Sequence, residues 1–368
     1  VKTCKKIHAV SLELLDRVGA RLHLEEAIQL LKKAGAKVID SNLVRIPSHL
    51  VENALATALK KIDLFDRHTR PAINLGKHNK YYGPGSDCLN IINHRNGRRR
   101  KLIVKDVVEG AILCDSLENI DFVMSMVFPS DVNQSIADRF QMEVMLNHTT
   151  KPIIFVSYDL SGCKDCVEMA EAVVGGEEVL QKNPLVACYI NVPTGLLHNE
   201  DSLRKLLFLA EKNIPSLYIP SSTEGVTSPI TTAGAVALDY AGVLVGLVLS
   251  QLIREGALVI IPGMSPGPLD MRDVKVTEKT LALDVIEEVG PEGNYLKTEH
   301  TRKYYKERWY PNLFERDMYN SWIGKGGKTL VERAADEVEL ILSEHEPESL
   351  PSKIKEKLKG IVHRANAS

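Results

Sequence analysis

Five apolar runs between Ile120 and Met264, each closed by small polar or glycyl residues, constrain this chain more than any other feature. They are Ile120–Phe128, Pro152–Tyr158, Leu185–Val192, Ser216–Ile219 and Ala257–Ile261, and every gap between them is wide enough for a helix. Strands alternating with helices in this way predict an α/β fold with a parallel sheet, buried on both faces so that its strands read as unbroken apolar runs. Chemistry in such sheets gathers where strands end at their carboxyl edge. Here those ends read Pro129-Ser130-Asp131, Asp159, Asn191, Pro220-Ser221-Ser222-Thr223-Glu224 and Gly263-Met264. A (β/α)8 barrel requires eight such units, and this chain supplies five.

On either side of the runs the pattern changes. Apolar residues at helical spacing predict helices over Ile7–Val18 and Leu24–Ala34, with Gly35 as a stop. Short strands are expected at Lys37–Asp40 and Leu43–Ile46, then a helix over Pro47–Leu59. The stretch Ile62–Val104 is turn-rich, with extended pieces at Leu64–Asp66 and Ile73–Leu75 and a hairpin bending through Asn93–Gly97. Val107–Leu117 reads as a helix leading into the first strand. Beyond Met264 the alternation stops, and helices are expected over Leu281–Val289, Thr298–Trp309, Asp317–Ile323, Thr329–Leu342 and the charged terminus. The expected domains are therefore 1–118 (helices and hairpins), 119–290 (barrel, interrupted near 273) and 291–368 (helices).

Charge narrows the partners. With 46 basic and 48 acidic side chains, nothing draws the chain to nucleic acid or an anionic membrane. The run Arg98-Arg99-Arg100-Lys101 reads as a solvated turn, and the longest apolar segment, Val243–Leu249, is too short to span a bilayer. Six scattered cysteines suggest reduced thiols, and the first residues form no apolar export stretch, so a cytoplasmic location is expected.

Several collinear blocks carry a resemblance. They include Thr69-Arg70-Pro71-Ala72-Ile73-Asn74-Leu75-Gly76, Tyr81-Tyr82-Gly83-Pro84-Gly85-Ser86-Asp87, Asn119-Ile120-Asp121-Phe122 and Thr149-Thr150-Lys151-Pro152. Further blocks are Thr227-Ser228-Pro229-Ile230-Thr231-Thr232-Ala233-Gly234-Ala235, Gly290-Pro291-Glu292-Gly293-Asn294-Tyr295-Leu296 and Glu307-Arg308-Trp309-Tyr310-Pro311. Over most of its length the chain resembles the trimethylamine methyltransferase superfamily, the methylamine and quaternary-amine:corrinoid methyltransferases. The resemblance implies a TIM (β/α)8-type barrel that demethylates a methylated amine and passes the methyl to the Co(I) centre of a separate corrinoid protein. No cofactor would be bound permanently, because the partner supplies the corrinoid. Betaines and other quaternary amines are substrates of members lacking pyrrolysine, and a homo-oligomer is expected.

Three departures from the family pattern stand out. After Asp270-Met271-Arg272, where relatives continue with further β/α units, this chain jumps to Val274-Lys275-Val276-Thr277. Gly242 stands where relatives usually carry Glu, and Thr194-Gly195-Leu196 where a Ser-Pro-Leu type sequence is common. The jump reads either as a stretch omitted from the sequence or as a true deletion compensated by a partner subunit. The pyrrolysine position would fall within it.

Displacement of a methyl group by cobalt requires no covalent nucleophile from the protein. It requires a held cation, excluded water and an opening for the acceptor. Cations favour aromatic faces and carboxylates, which nominates Tyr82, Phe155, Tyr158, Tyr189 and Tyr218, although strand alternation sends some of these outward into packing. Asp131 and Glu224 are the acidic candidates for catalysis because both follow strand ends, with helix capping and solvated loop as their structural alternatives. Asn191, Ser222 and Thr227 are candidates to hydrogen-bond the substrate. No metal site is expected: Cys163-Lys164-Asp165-Cys166 lacks a second pair and opens a helix. Gly83-Pro84-Gly85 lacks the lysine of a phosphate loop. The competing function is a degenerate, non-catalytic barrel kept as a binding or assembly subunit.

Overall fold

The protein was studied as a computed structural model, which describes residues 2–76, 78–94, 96–222, 227, 232–261, 299, 302 and 319–367. The expected helices at Leu281–Val289 and Thr298–Trp309, and the jump after Arg272, lie outside the described residues. Residues 1–267 and 339–368 form one body, and residues 268–338 a second.

At the centre of the first body is a five-stranded parallel sheet of β8 (Val123–Met124), β9 (Ile153–Val156), β10 (Val186–Val192), β12 (Ser216–Pro220) and β13 (Val259–Ile260). Its spatial order is the chain order, each unit laying its strand beside the previous one. The helices between these strands are α5 (Ala137–His148), α6 (Leu160–Val174) with α7 (Glu177–Lys182), α8 (Glu200–Lys212) and α9 (Thr232–Ile253). All five expected strands are present, β8 and β13 shorter than their apolar runs. In the two-residue β8, the chain beyond Met124 departs from regular pairing to meet residues 87–88.

Among the described residues, helices cover one face of the sheet only. Phe155, Cys188, Ile190 and Tyr218 point into the main core with Leu203, Leu206, Leu244 and Val248 from the helices. The opposite face carries Met124, Ile154 and Ala187, with Val156, Tyr189, Leu217 and Ile260 only partly buried. A hairpin of β4 (Ile62–Phe65) and β5 (Pro71–Leu75) closes the amino end of this inner face. Leu64 and Ile73 pack into it, and the hairpin is tied there by Phe65 N–H to Pro184 O at 2.8 Å and Arg67 N–H to Thr150 O at 2.8 Å. The carboxyl end has no such plug among the described residues.

The N-terminal region follows its periodicity closely: α1 (Lys2–Glu13), α2 (Glu25–Lys33), β2 (Lys37–Val38), β3 (Leu43–Arg45) and α3 (Ser48–Thr57). Two short strands were not foreseen. β1 (Ala20–Leu22) runs parallel to β11 (Leu197–His198), joining the N-terminal sheet, ordered β11-β1-β3-β2, to the connection between β10 and α8. The α9 helix runs against α1, α3, α8 and β12. Its stretch Val236–Ile253 is long and apolar enough to cross a membrane and is 72% buried within the protein, the character of a core helix without a polar face. β6 (Asn90–Ile92) and β7 (Arg99–Lys101) form the basic hairpin, in which Arg100 pairs with Asp106 of α4 (Val104–Ser116) at 2.6 Å. Within 319–338 the second body shows α10 (Tyr319–Gly324) and the start of α11 (Leu330–Glu344). In the first body, α12 (Ser352–Ala367) packs Leu358, Ile361 and Val362 against α5 and α6.

His198, on β11, is fully buried and shares a 2.7 Å hydrogen bond with the Tyr218 hydroxyl. Burial, opposed only by the Gly195 backbone, lowers its pKa to about 4 from the ordinary 6.5. The unfolded chain therefore binds a proton between these values that the folded chain refuses. Stability is full above 6.5 and declines as pH falls through this window. Urea denaturation across pH should show the native chain losing roughly 3 kcal/mol more than a His198→Gln variant between neutrality and pH 4. Parallel losses in the two proteins would contradict a neutral, buried imidazole.

Candidate active site at the carboxyl edge of the sheet

Strand parity decides which candidate residues can meet. On β10, Ala187 and Tyr189 lie on the inner face, and Asn191, two residues further, continues that row and is exposed. On β12 the same row passes through Leu217 and Ile219 toward Ser221. Ser221 donates to Asn191 Oδ1 at 2.7 Å. On β9, Ile154 and Val156 precede Tyr158, whose ring stacks on Phe128 with centroids 5.7 Å apart. Tyr158, Tyr189, Asn191 and Ser221 thus follow the open face toward its unplugged end. Phe155 and Tyr218, equally eligible by composition, are fully buried on the helix-covered face.

Other candidates have structural partners. The Asp131 carboxylate accepts Val104 N–H at 2.9 Å, capping α4, whereas the cap expected of it near Ser135 is made by Asn133. Ser222 donates to the buried Asp239 of α9 and accepts from Gly195 N–H at 3.4 Å. Tyr82 is exposed, and its backbone exchanges two hydrogen bonds with Asp121, before β8 at the sheet's amino end. Thr227 is exposed. Glu224 lies outside the described residues.

The loop bearing Tyr158 is fixed from behind. Asp138 Oδ2 accepts Tyr158 N–H at 3.1 Å, and Arg139 pairs with Asp138 at 3.0 Å, Asp165 at 3.1 Å and Asp159 at 3.5 Å. Asp159 also caps α6 through Gly162 N–H at 2.7 Å. Burial raises the Asp138 pKa despite the adjacent guanidinium. Cys163 and Cys166 are fully buried on α6, and burial pushes both thiols well up, so they remain protonated packing groups.

Asp87 was not singled out by the sequence reading. The chain from Tyr82 to Cys88 runs along the outer edge of β8, and Asp87 N–H donates to Ser125 O at 2.9 Å while Cys88 N–H donates to Met126 O at 2.8 Å. Asp87 is therefore delivered to the carboxyl end of the first strand. Burial raises its pKa, opposed by the Ser86 hydroxyl, yet the residue is exposed to solvent. Burial raises the pKa of both Tyr158 and Tyr189; the charges of Asp138 and then Asp87 add to it at Tyr158, and that of Asp87 adds at Tyr189 against the opposing Ser221 hydroxyl. The one signal in the sequence was its place in the Tyr81–Asp87 block, where a carboxylate in a glycine-proline turn reads as solvated.

The open carboxyl edge of a parallel sheet, bearing aromatic and polar side chains, is where α/β proteins commonly bind small molecules. Sequence comparison supplies the family. The trimethylamine methyltransferase (MTTB) profile matches residues 2–274 and 269–368, and the chain belongs to that family. A trimethylamine methyltransferase of Desulfitobacterium hafniense is 26% identical, the match covering 97% of this chain and 91% of that protein. A glycine betaine methyltransferase of the same species is 23% identical, covering 97% and 95%. A trimethylamine methyltransferase of Methanosarcina barkeri is 22% identical, covering 98% and 94%.

The two matched stretches meet at 269–274, where the sequence jumps. The first alignment spans 454 positions against 368 residues in this chain, so that relative holds residues with no counterpart here. The other two departures touch one another. A Cβ on Gly242 would lie 2.5 Å from Gly195 O and 2.8 Å from Pro220, and one on Gly195 would lie 2.1 Å from Leu238 O. The backbone of α9 thus presses directly on the Gly195 loop, and a glutamate at 242 has no room without moving it. Gly242→Ala should cost about 1–3 kcal/mol in urea denaturation, the usual penalty of overpacking. Unchanged stability would contradict the close backbone contact.

Proposed function

We propose that this chain is a methyltransferase that moves a methyl group from a methylated, quaternary amine to the Co(I) centre of a partner corrinoid protein. The observation that carries the reading is the match to the family over nearly the whole chain, joined to a carboxyl edge where Tyr158, Tyr189 and Asn191 follow one open face. Cation–π attraction to two tyrosines suits a quaternary nitrogen, which is charged and offers no N–H to an acceptor. The five units in chain order, with helices on one face only among the described residues, support a sector of a (β/α)8 barrel. In this proposal the remaining strands are those of relatives' residues without counterpart here, or belong to a second subunit of a homo-oligomer. The barrel spans residues 119–290 between helical regions, and the protein works in the cytoplasm.

During transfer the C–N bond breaks with its electron pair retained by nitrogen. The methyl carbon bonds to the acceptor's cobalt, using the electron pair of Co(I). The protein's tasks are to orient the ammonium and keep water away. The rival reading, a barrel retained for binding or assembly, draws on the break at 269–274 and expects amine binding without transfer. Incubation with reduced corrinoid protein and trimethylamine, glycine betaine, carnitine or tetramethylammonium separates them. The proposal expects the Co(I) absorption to decay with at least one amine. Persistence of that absorption with all four would remove it.

A further inference from the structure

Resting on a methylated ammonium as the ligand, we infer that Asp87 is the carboxylate that holds the substrate's positive charge, between the rings of Tyr158 and Tyr189. The carboxylates described around this end of the sheet mostly have assigned partners. Asp131 caps α4, Asp138 pairs with Arg139, Asp159 caps α6 and Asp239 accepts from Ser222. Asp87 has neither a cation nor a backbone N–H on its carboxylate among the described residues, only the Ser86 hydroxyl. The exposed Asp87 carboxylate, without a counter-ion among the described residues, is open to a cation that enters from solvent.

The placement is built into the backbone. Asp87 and Cys88 are hydrogen-bonded to Ser125 and Met126, and Phe128 N–H returns to Cys88 O at 2.9 Å. Phe128 is the ring on which Tyr158 stacks, so the 87–88 corner and the β9 terminus share one neighbour. The Tyr158 hydroxyl is buried without a hydrogen-bond partner among the described residues. Asp87 itself sits at φ 56°, a left-handed conformation that Asp and Asn tolerate and most residues do not. An anion beside two aromatic rings selects a soft, alkylated cation over a neutral isostere.

The charge has a kinetic signature. Methyl transfer turns an ammonium ion into a neutral amine, so the attraction to Asp87 is largest in the bound reactant and fades toward the transition state. Such an interaction lowers KM and leaves kcat unchanged or slightly lower, and its loss in the product favours amine release.

Titration calorimetry of the full chain with tetramethylammonium chloride, without any corrinoid protein, tests the assignment. Asp87→Asn keeps the left-handed turn and the shape of the side chain, and its melting temperature should match the native protein's. The variant should bind tetramethylammonium about tenfold or more weakly, the scale of one charge interaction in a partly enclosed site. It should bind 3,3-dimethyl-1-butanol, the neutral carbon isostere of choline, whose uncharged trimethyl head has the shape of the tetramethylammonium ion, with nearly native affinity. In the transfer assay its KM should rise with kcat little changed. Native-like tetramethylammonium affinity in Asp87→Asn, or equal losses for the cation and the isostere, would overturn the assignment while leaving the methyltransferase reading intact. Binding that depends on Asp87 in a protein that transfers no methyl would remove that reading and sustain the assignment. A native protein that binds no quaternary ammonium overturns both.

Discussion

The register of β10 between β9 and β12 is the constraint on which the site depends. Tyr189 lies opposite Val156 on one side and Leu217 on the other, and Asn191 opposite Ile219. A slip by one residue would exchange the faces, sending Tyr189 and Asn191 under the helices and bringing Cys188 and Ile190 out. The apolar cost of that exchange holds the register, because Val186, Cys188, Ile190 and Val192 are all fully buried, with α6 and α8 packed on β10. Core packing and site geometry are therefore one requirement satisfied by one strand.

The two ends of the inner face differ for an equally local reason. The β4–β5 hairpin fills the amino end with Leu64 and Ile73 and hydrogen-bonds to the residues just before β9 and β10. At the other end the chain supplies carboxylates, hydroxyls and tyrosines. Most of these brace loops: the Asp138–Arg139 pair holds the Tyr158 turn, and the Ser222–Asp239 bond ties the β12 end to α9. Buried pairs of this kind add little net stability but are expensive to break singly, so they fix position. Asp87 stands apart because its backbone is anchored and its charge is not matched.

How far this was legible in the sequence depends on how local each feature is. The five strands were readable because burial makes each an apolar run with a polar end. The N-terminal helices were readable because their periodicity is local. The two-residue strands β1 and β11 were not, since neither is a run and their pairing joins positions far apart in the chain. Tyr158 and Tyr189 could be listed beside Phe155 and Tyr218, but parity is settled only when a register is fixed. Asp131 follows a strand end, as expected, and its carboxylate caps α4, a helix that precedes it in the chain. Asp87 was hidden in a turn some seventy residues upstream of Tyr158 and about a hundred upstream of Tyr189, and only the path of residues 82–88 along β8 brings it to their end of the sheet. Gly195 and Gly242 each stood out as departures from family pattern, while their mutual contact needed the fold.

The central claim is that a quaternary ammonium rests at the carboxyl edge of this sheet. A crystal structure of the protein soaked with tetramethylammonium tests it most directly. The account predicts the cation between the Tyr158 and Tyr189 rings, within contact distance of the Asp87 carboxylate. A cation bound elsewhere, with those three side chains facing only water or one another, would contradict it.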